Sequence, residues 1–203
     1  MKNYSTEQSG RSMIEMLGVL AIVGVLSVAG IAGYSKAMGK FKVNKLTDQI
    51  TSISSNVKTM FSGVGRYDGL GDDGGKGVQI AYNLGLLPDD MTKGCATSTG
   101  YKNDCVKNAV NGGLELVGDK DQSYASYTLT ITGITKDACS TLVASDWGGP
   151  TSVRAIGATG TATGNIDMIE GAKLFNDPTV PIAVSAACEC VGAPTCKVAI
   201  SYY

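Results

Sequence analysis

Residues 16–35, MLGVLAIVGVLSVAGIAGYS, decide what kind of protein this chain can be. The run contains 20 residues and no formal charge, which is the length that a helix needs to cross the hydrocarbon core of a bilayer. A secretory signal peptide would place a small-residue cleavage site directly after such a run. Here the chain continues as GYSKAMGKFKVNKL, with no such site. Taken alone, this stretch predicts an uncleaved membrane anchor near the amino terminus.

The overall composition excludes several classes of protein. The chain has 203 residues with 17 Lys+Arg, 18 Asp+Glu and a formal net charge of −1, so charge gives no reason to expect a nucleic-acid partner. Histidine is absent, and with it the commonest general base and the commonest metal ligand. We therefore expect no cofactor and no metal, and we do not expect an enzyme.

The residues that precede and enter the apolar run carry a family resemblance. The segment GRSMIEMLGVLAIVGVLSV, which begins at Gly10, resembles the amino-terminal block of type IV pilins and the related pseudopilins. The resemblance implies that a prepilin peptidase removes residues 1–10 as a leader by cutting between Gly10 and Arg11. It also implies that the new amino terminus is N-methylated and that Glu15, at the fifth mature position, acts in assembly. Arg11 departs from the family pattern, which has an apolar residue there.

This resemblance implies a structural function. We expect a subunit that polymerises with identical copies into a type IV pilus used for adhesion, aggregation, motility or uptake. The LGLLPDDM segment at residues 84–91 resembles a motif of the type IVb subgroup. Further expected partners are the prepilin peptidase, the assembly machinery of the inner membrane and a host or surface receptor. The subunit would reside in the bacterial inner membrane before assembly and in the extracellular pilus afterwards. The alternatives are a pseudopilin of a type II secretion system and a minor pilin.

A cationic partner for Glu15 is expected on physical grounds as well. A charged side chain at the centre of a membrane-spanning helix costs roughly 2.5–3.5 kcal/mol on insertion scales. Glu15 lies near one end of the run, which reduces that cost. Arg11 and Glu15 stand four residues apart and therefore share a helix face. We predict that they pair within the subunit in the membrane, and that assembly partly exchanges this pair for the amino terminus of a neighbouring copy.

The helix is predicted to continue well beyond the apolar run. Six apolar residues recur at helical spacing, namely Val43, Leu46, Ile50, Ile53, Val57 and Met60. The sequence thus predicts an amino-terminal helix over residues 11–61, with residues 16–35 as the transmembrane segment and filament core. Residues 62–203 would form a globular head. Helix first and strands later indicate an α+β fold in which the helix packs on an antiparallel sheet.

Within the head, hydrophobic patterning distinguishes a few elements. Residues 124–134 alternate as a strand, with Tyr127, Leu129 and Ile131 on one face. Residues 137–144 predict a short helix, and the tail predicts two β-rich pieces at 180–191 and 197–203. The Gly-rich segment 62–77 and the Thr/Gly-rich segment 151–165 are predicted to be loops, the latter exposed or at a sheet edge.

The six cysteines all follow the apolar run, which predicts three disulfides for a head outside the cytoplasm. A zinc site would need C-x-x-C pairs or histidines, and the sequence contains neither. Short loop lengths favour Cys95–Cys105 and Cys190–Cys196. The remaining pair, Cys139 with Cys188, resembles the bridge that bounds the carboxy-terminal region of pilin heads. An exchange between Cys188 and Cys190 stays open.

Two other classes of function are less well supported. An extracytoplasmic enzyme would need a nucleophile such as Ser140 or Thr141, but no histidine and no G-x-S-x-G motif accompany them. A binding module would use exposed aromatic residues, for which Trp147, Tyr202 and Tyr203 are candidates. Burial of these three side chains in the head or between subunits is the simpler interpretation.

Overall fold

The computed structural model describes residues 13–95, 102–148, 151–160, 173–174 and 188–203. The chain divides into two compact units, Met1–Lys40 and Phe41–Tyr203. Helix α1 (Met13–Phe61) begins in the first unit and ends in the second. No proline interrupts it, and its apolar residues recur at helical spacing over many turns. The described part of the first unit consists of this helix alone.

The second unit combines short helices with a sheet. Its helices after α1 are α2 (Gly74–Asn83), α3 (Asp89–Thr92), α4 (Lys102–Cys105) and α5 (Lys136–Val143). Its strands are β1 (Leu114–Gly118), β2 (Tyr127–Ile134), β3 (Val153–Thr159), β4 (Lys173–Leu174) and β5 (Cys196–Tyr202). Among the described residues, short 3-10 turns lie at Asp68–Leu70, Lys93–Cys95 and Lys120–Gln122.

The five strands of the described residues form one antiparallel sheet in the order β1-β2-β5-β3-β4. The carboxy-terminal strand β5 lies in the middle, between β2 and β3, so the last residues of the chain hold the sheet together. Such long-range pairing is typical of an α+β head in which helices cover a sheet. The predicted fold class, a long amino-terminal helix with an antiparallel sheet and disulfides, is confirmed.

The second half of α1 contributes the central stripe of the head core. Leu46, Ile50, Ile53 and Val57 have no exposed surface. The hydroxyl of Tyr127 on β2 donates a hydrogen bond to the carbonyl oxygen of Ser54 at 3.1 Å. The predicted apolar stripe is therefore confirmed at these four positions, whereas Met60 at its end is 47% exposed.

A polar contact near the start of this stripe ties α1 to α3. The carboxylate of Asp90 accepts hydrogen bonds from Lys45 Nζ at 2.8 Å and from Gln49 Nε2 at 2.8 Å. Gln49 in turn accepts from the backbone N–H of Ala109 at 3.0 Å. Burial alone would raise the pKa of Asp90, but the two side-chain hydrogen bonds and the charge of Lys45 outweigh it and hold that pKa below its ordinary value.

We expect Asp90→Asn to lower the free energy of unfolding at neutral pH by less than about 1 kcal/mol, because both partners are partly exposed. A carboxyl whose pKa is depressed on folding stabilises the fold above its unfolded pKa of about 3.9. That contribution is lost as the pH falls through the lower folded-state pKa. The unfolding curves of the wild type and the variant should therefore converge in acid. Asp89→Asn, at an exposed neighbouring position, is the control and should show no such convergence.

The segment 62–77 is not a loop throughout, contrary to the prediction. Helix α2 begins at Gly74, and the side chain of Asp73 caps it by accepting from the backbone N–H groups of Gly75 and Lys76. Gly77 lies so close to β1 that a Cβ there would collide with the carbonyl group of Leu116. Capping and close packing on β1 together outweigh the low helix propensity of glycine.

Within the segment 151–165, the prediction of an exposed loop or sheet edge is wrong for residues 153–159. Residues 153–159 form β3, which pairs with β5 on one side and β4 on the other and is buried along most of its length. Because Ala155, Gly157 and Ala158 are small, the sequence of this strand shows no clear alternation of apolar and polar residues. Residues 161–165 lie outside the described residues, as does most of the predicted β-rich piece at 180–191.

Candidate assembly interface

The described part of the first unit presents an apolar surface with nothing of the same unit covering it. Residues 13–37 are all exposed, and the helix is long and apolar enough to cross a membrane. Leu20 and Ile22 are each 63% exposed, in contrast to the fully buried Ile50 and Ile53 of the same helix. An apolar surface of this extent requires a lipid or protein environment.

Five glycines of α1 lie within this surface or at its end, at positions 18, 24, 30, 33 and 39. A Cβ built at any of them would meet nothing within 4 Å. No contact within the subunit therefore requires a glycine at these positions. Small residues of this kind allow helices to approach one another closely in apolar surroundings.

The predicted processing and assembly residues are only partly described. Gly10 and Arg11 lie outside the described residues, and so does the predicted leader 1–10. Glu15 occupies the first turn of α1 and is exposed. It is the only acidic residue of α1 before Asp48. The predicted roles of Gly10, Arg11 and Glu15 stay predictions.

The structure joins the six cysteines in three disulfides: Cys95–Cys105, Cys139–Cys188 and Cys190–Cys196. These are the three pairs that the sequence favoured. Cys139 lies on α5 and Cys196 begins β5, so two of the bonds gather α5, the 188–190 segment and the central strand at one place in the head.

The aromatic residues considered for binding are mostly buried. Trp147 is 8% exposed, and its indole N–H donates to the carbonyl oxygen of Leu142 at 2.8 Å. Tyr202 is 3% exposed; its ring stacks on Tyr127 at 5.4 Å between centroids, and Lys58 Nζ lies 5.2 Å from its centroid. Burial raises the pKa of Tyr202. Tyr203, which is 49% exposed, is the one of the three that reaches solvent.

A buried polar network on the other face of the sheet was not predicted from the sequence. Asp119 has no exposed surface and accepts hydrogen bonds from the hydroxyls of Ser126, Thr128 and Ser201 at 2.7–2.8 Å. Arg154 on β3 lies 3.6 Å from the same carboxylate and donates to Ser201 at 3.0 Å. The sequence did contain one indication of this network, because hydroxyl-bearing residues of β2 alternate with Tyr127, Leu129 and Ile131.

Comparison with known proteins connects this architecture to a family. Residues 40–200 match the sequence family described as PilS N terminal. The chain belongs to this family, which is related to the type IV pilins. The match covers the head unit and not the amino-terminal motif, so the two lines of evidence rest on different parts of the pilin. No protein of curated function matches the chain in sequence.

A solved structure also resembles this pilin. The crystal structure of TcpA, a type IV pilin from Vibrio cholerae El Tor biotype, matches with a TM-score of 0.55 over 79% of this chain and 98% of that chain. The sequence identity is 15%, so the likeness concerns the fold alone. Family and fold are those of structural, non-enzymatic proteins.

The two nucleophiles considered for an enzyme, Ser140 and Thr141, lie on α5. The Thr141 hydroxyl donates a hydrogen bond to the carbonyl oxygen of Asp137 at 2.9 Å.

Proposed function

We propose that this chain is the structural subunit of a type IV pilus. In this proposal, prepilin peptidase cuts between Gly10 and Arg11 in the inner membrane, and the processed subunits polymerise through the apolar half of α1 into a surface fibre. Residues 1–10 are the leader, residues 11–61 the amino-terminal helix and residues 62–203 the head. A host or surface receptor remains a predicted further partner.

The contrast between the two halves of α1 carries this proposal. Leu46, Ile50, Ile53 and Val57 are fully buried in the core of the head, whereas residues 13–37 are all exposed. The exposed half therefore needs a different environment, and copies of the same apolar helix can supply one. The five glycines support this arrangement, because the subunit itself has no steric need for them.

Analysis of sheared surface material tests processing and export together. Intact-mass measurement without reduction, combined with amino-terminal sequencing, should find an abundant chain that begins at Arg11 and contains three disulfides. The same spectrum reports N-methylation. A minor pilin would appear only in trace amounts in this fraction, and a pseudopilin would be absent from an isolated fibre. A chain that retains Met1 and occurs only in membranes would overturn the proposal.

We expect Glu15→Ala and Glu15→Gln to leave membrane insertion intact and to reduce fibre yield strongly. Both changes remove the charge that we predict to pair with Arg11 in the membrane and, in part, with the amino terminus of a neighbouring copy after assembly. Glu15→Gln does so with almost no change in volume. Asp48→Asn removes a carboxylate from an exposed position of the same helix in the head unit and should leave the yield unchanged. Quantitative immunoblots of sheared and membrane fractions measure both quantities. Wild-type fibre yield from both Glu15 variants would contradict this role.

A further inference from the structure

Two of the three disulfides lie side by side in the head. Cys139 is bonded to Cys188, and Cys190 is bonded to Cys196. The Sγ atoms of Cys139, Cys190 and Cys196 all lie within 4.8 Å of one another. A small rotation of the Cys139 side chain on α5 would therefore bring its sulfur into contact with either sulfur of the neighbouring disulfide. Among the described residues, Cys95 and Cys105 belong to no such sulfur cluster.

The backbone around residue 189 keeps two alternative partners beside Cys139. Cys188 and Cys190 are separated only by Glu189, whose carboxylate accepts a hydrogen bond from Lys136 Nζ on α5 at 3.0 Å. The carbonyl oxygen of Cys188 lies 3.0 Å from Cys190 Sγ and 3.5 Å from Cys196 Sγ. The Cys188–Glu189–Cys190 segment thus lies next to Cys139 on α5.

The cluster is buried, but the segment that carries Cys188 and Cys190 is irregular. The four cysteines are nearly fully buried, with exposures of 0–3%. However, residues 188–195 contain neither helix nor strand, and Val191 is 85% exposed. Segments of this kind open locally at far lower cost than the strands of a core.

We propose that these four cysteines form a thiol–disulfide exchange site that accepts small-molecule or protein thiols. The incoming thiolate attacks Cys188 Sγ and breaks the Cys139–Cys188 bond; a mixed disulfide forms on Cys188, and Cys139 leaves as a thiolate. Cys139 then attacks Cys190 Sγ, which breaks the Cys190–Cys196 bond and releases the Cys196 thiolate. That thiolate attacks Cys188 Sγ in the mixed disulfide and expels the incoming thiol.

The sequence of steps is an isomerisation. The product contains bonds from Cys139 to Cys190 and from Cys188 to Cys196, the incoming thiol is regenerated, and no net oxidation or reduction occurs. Each step is reversible. This inference requires an oxidised head and does not depend on the proposed polymerisation.

Cys188→Ser in the full chain provides the direct test, because it leaves Cys139 as a thiol beside the intact Cys190–Cys196 bond. After acid quenching and alkylation, peptide mapping without reduction should find most of Cys139 bonded to Cys190 or Cys196, with the displaced cysteine alkylated. Cys95→Ser is the matched control: Cys105 should be alkylated, and the other two native bonds should persist. A folded Cys188→Ser protein with an alkylated Cys139 and an intact Cys190–Cys196 bond would overturn the proposal.

The wild-type chain provides a second test that does not depend on the folding of a variant. Incubation in a glutathione redox buffer should produce the Cys139–Cys190 and Cys188–Cys196 peptides while Cys95–Cys105 stays closed. If glutathione forms a mixed disulfide on Cys188 and no exchanged peptide accompanies it, the exchange site does not exist.

Discussion

Asp119→Ala is expected to lower the free energy of unfolding of the head by about 3–5 kcal/mol, which is the usual cost of removing one partner from a buried ion pair. Asp119 has no exposed surface and Arg154 is 6% exposed. The substitution leaves the Arg154 guanidinium buried without this carboxylate, and it removes the acceptor of three hydroxyl groups. Denaturant unfolding of the full chain in detergent, followed by circular dichroism, measures the loss.

Two further variants show whether this loss arises from the buried charge. Asp121→Ala, at an exposed position two residues away, should change stability by no more than about 0.5 kcal/mol. The double variant Asp119→Leu/Arg154→Met should be more stable than Asp119→Ala, because it also removes the buried guanidinium group that has lost the Asp119 carboxylate. An Asp119→Ala protein as stable as the wild type would show that the network contributes little.

The second large effect is expected from one substitution made in the two halves of α1. Ile53→Ala should lower the free energy of unfolding by about 2–5 kcal/mol, since Ile53 is fully buried and the missing methyl groups leave a cavity. Ile22→Ala removes the same atoms from a side chain that is 63% exposed. It should leave the unfolding of the head unchanged and reduce fibre yield.

The two readouts together separate folding from assembly. Denaturant unfolding reports the head, and the ratio of sheared to membrane-bound subunit reports polymerisation. Equal loss of head stability from both variants would mean that the amino-terminal half is needed for the fold of the subunit. Normal fibre yield from Ile22→Ala, and from the same change at the exposed Ile31, would count against the proposed interface.

Features that depend on local sequence could be predicted. The apolar run needs only its length and lack of charge, and the α1 stripe at Leu46, Ile50, Ile53 and Val57 needs only helical spacing. The pairs Cys95–Cys105 and Cys190–Cys196 follow from short loops, because nearby cysteines meet at a small entropic cost. The β2 strand could be predicted because apolar and polar residues alternate along it.

Where tertiary contacts outweigh local preference, prediction from sequence fails. Gly74 and Gly77 disfavour a helix, yet α2 forms because Asp73 caps it and β1 leaves no room for a larger residue at position 77. Strand β3 is buried along most of its length between two neighbours, so its small residues and Arg154 give no alternating pattern. Arg154 resembles a surface residue until Asp119, thirty-five positions earlier, is found beside it.

The sequence by itself therefore determined the amino-terminal half of this pilin and the class of its head. Helix periodicity, apolar length and short-range cysteine pairing are properties of neighbouring residues, and they need no knowledge of the rest of the chain. Only the tertiary structure decided the order of the strands, the buried Asp119–Arg154 network and the convergence of two disulfides around Cys139. Each of these depends on residues that are distant in sequence and meet only because β5, at the end of the chain, enters the middle of the sheet.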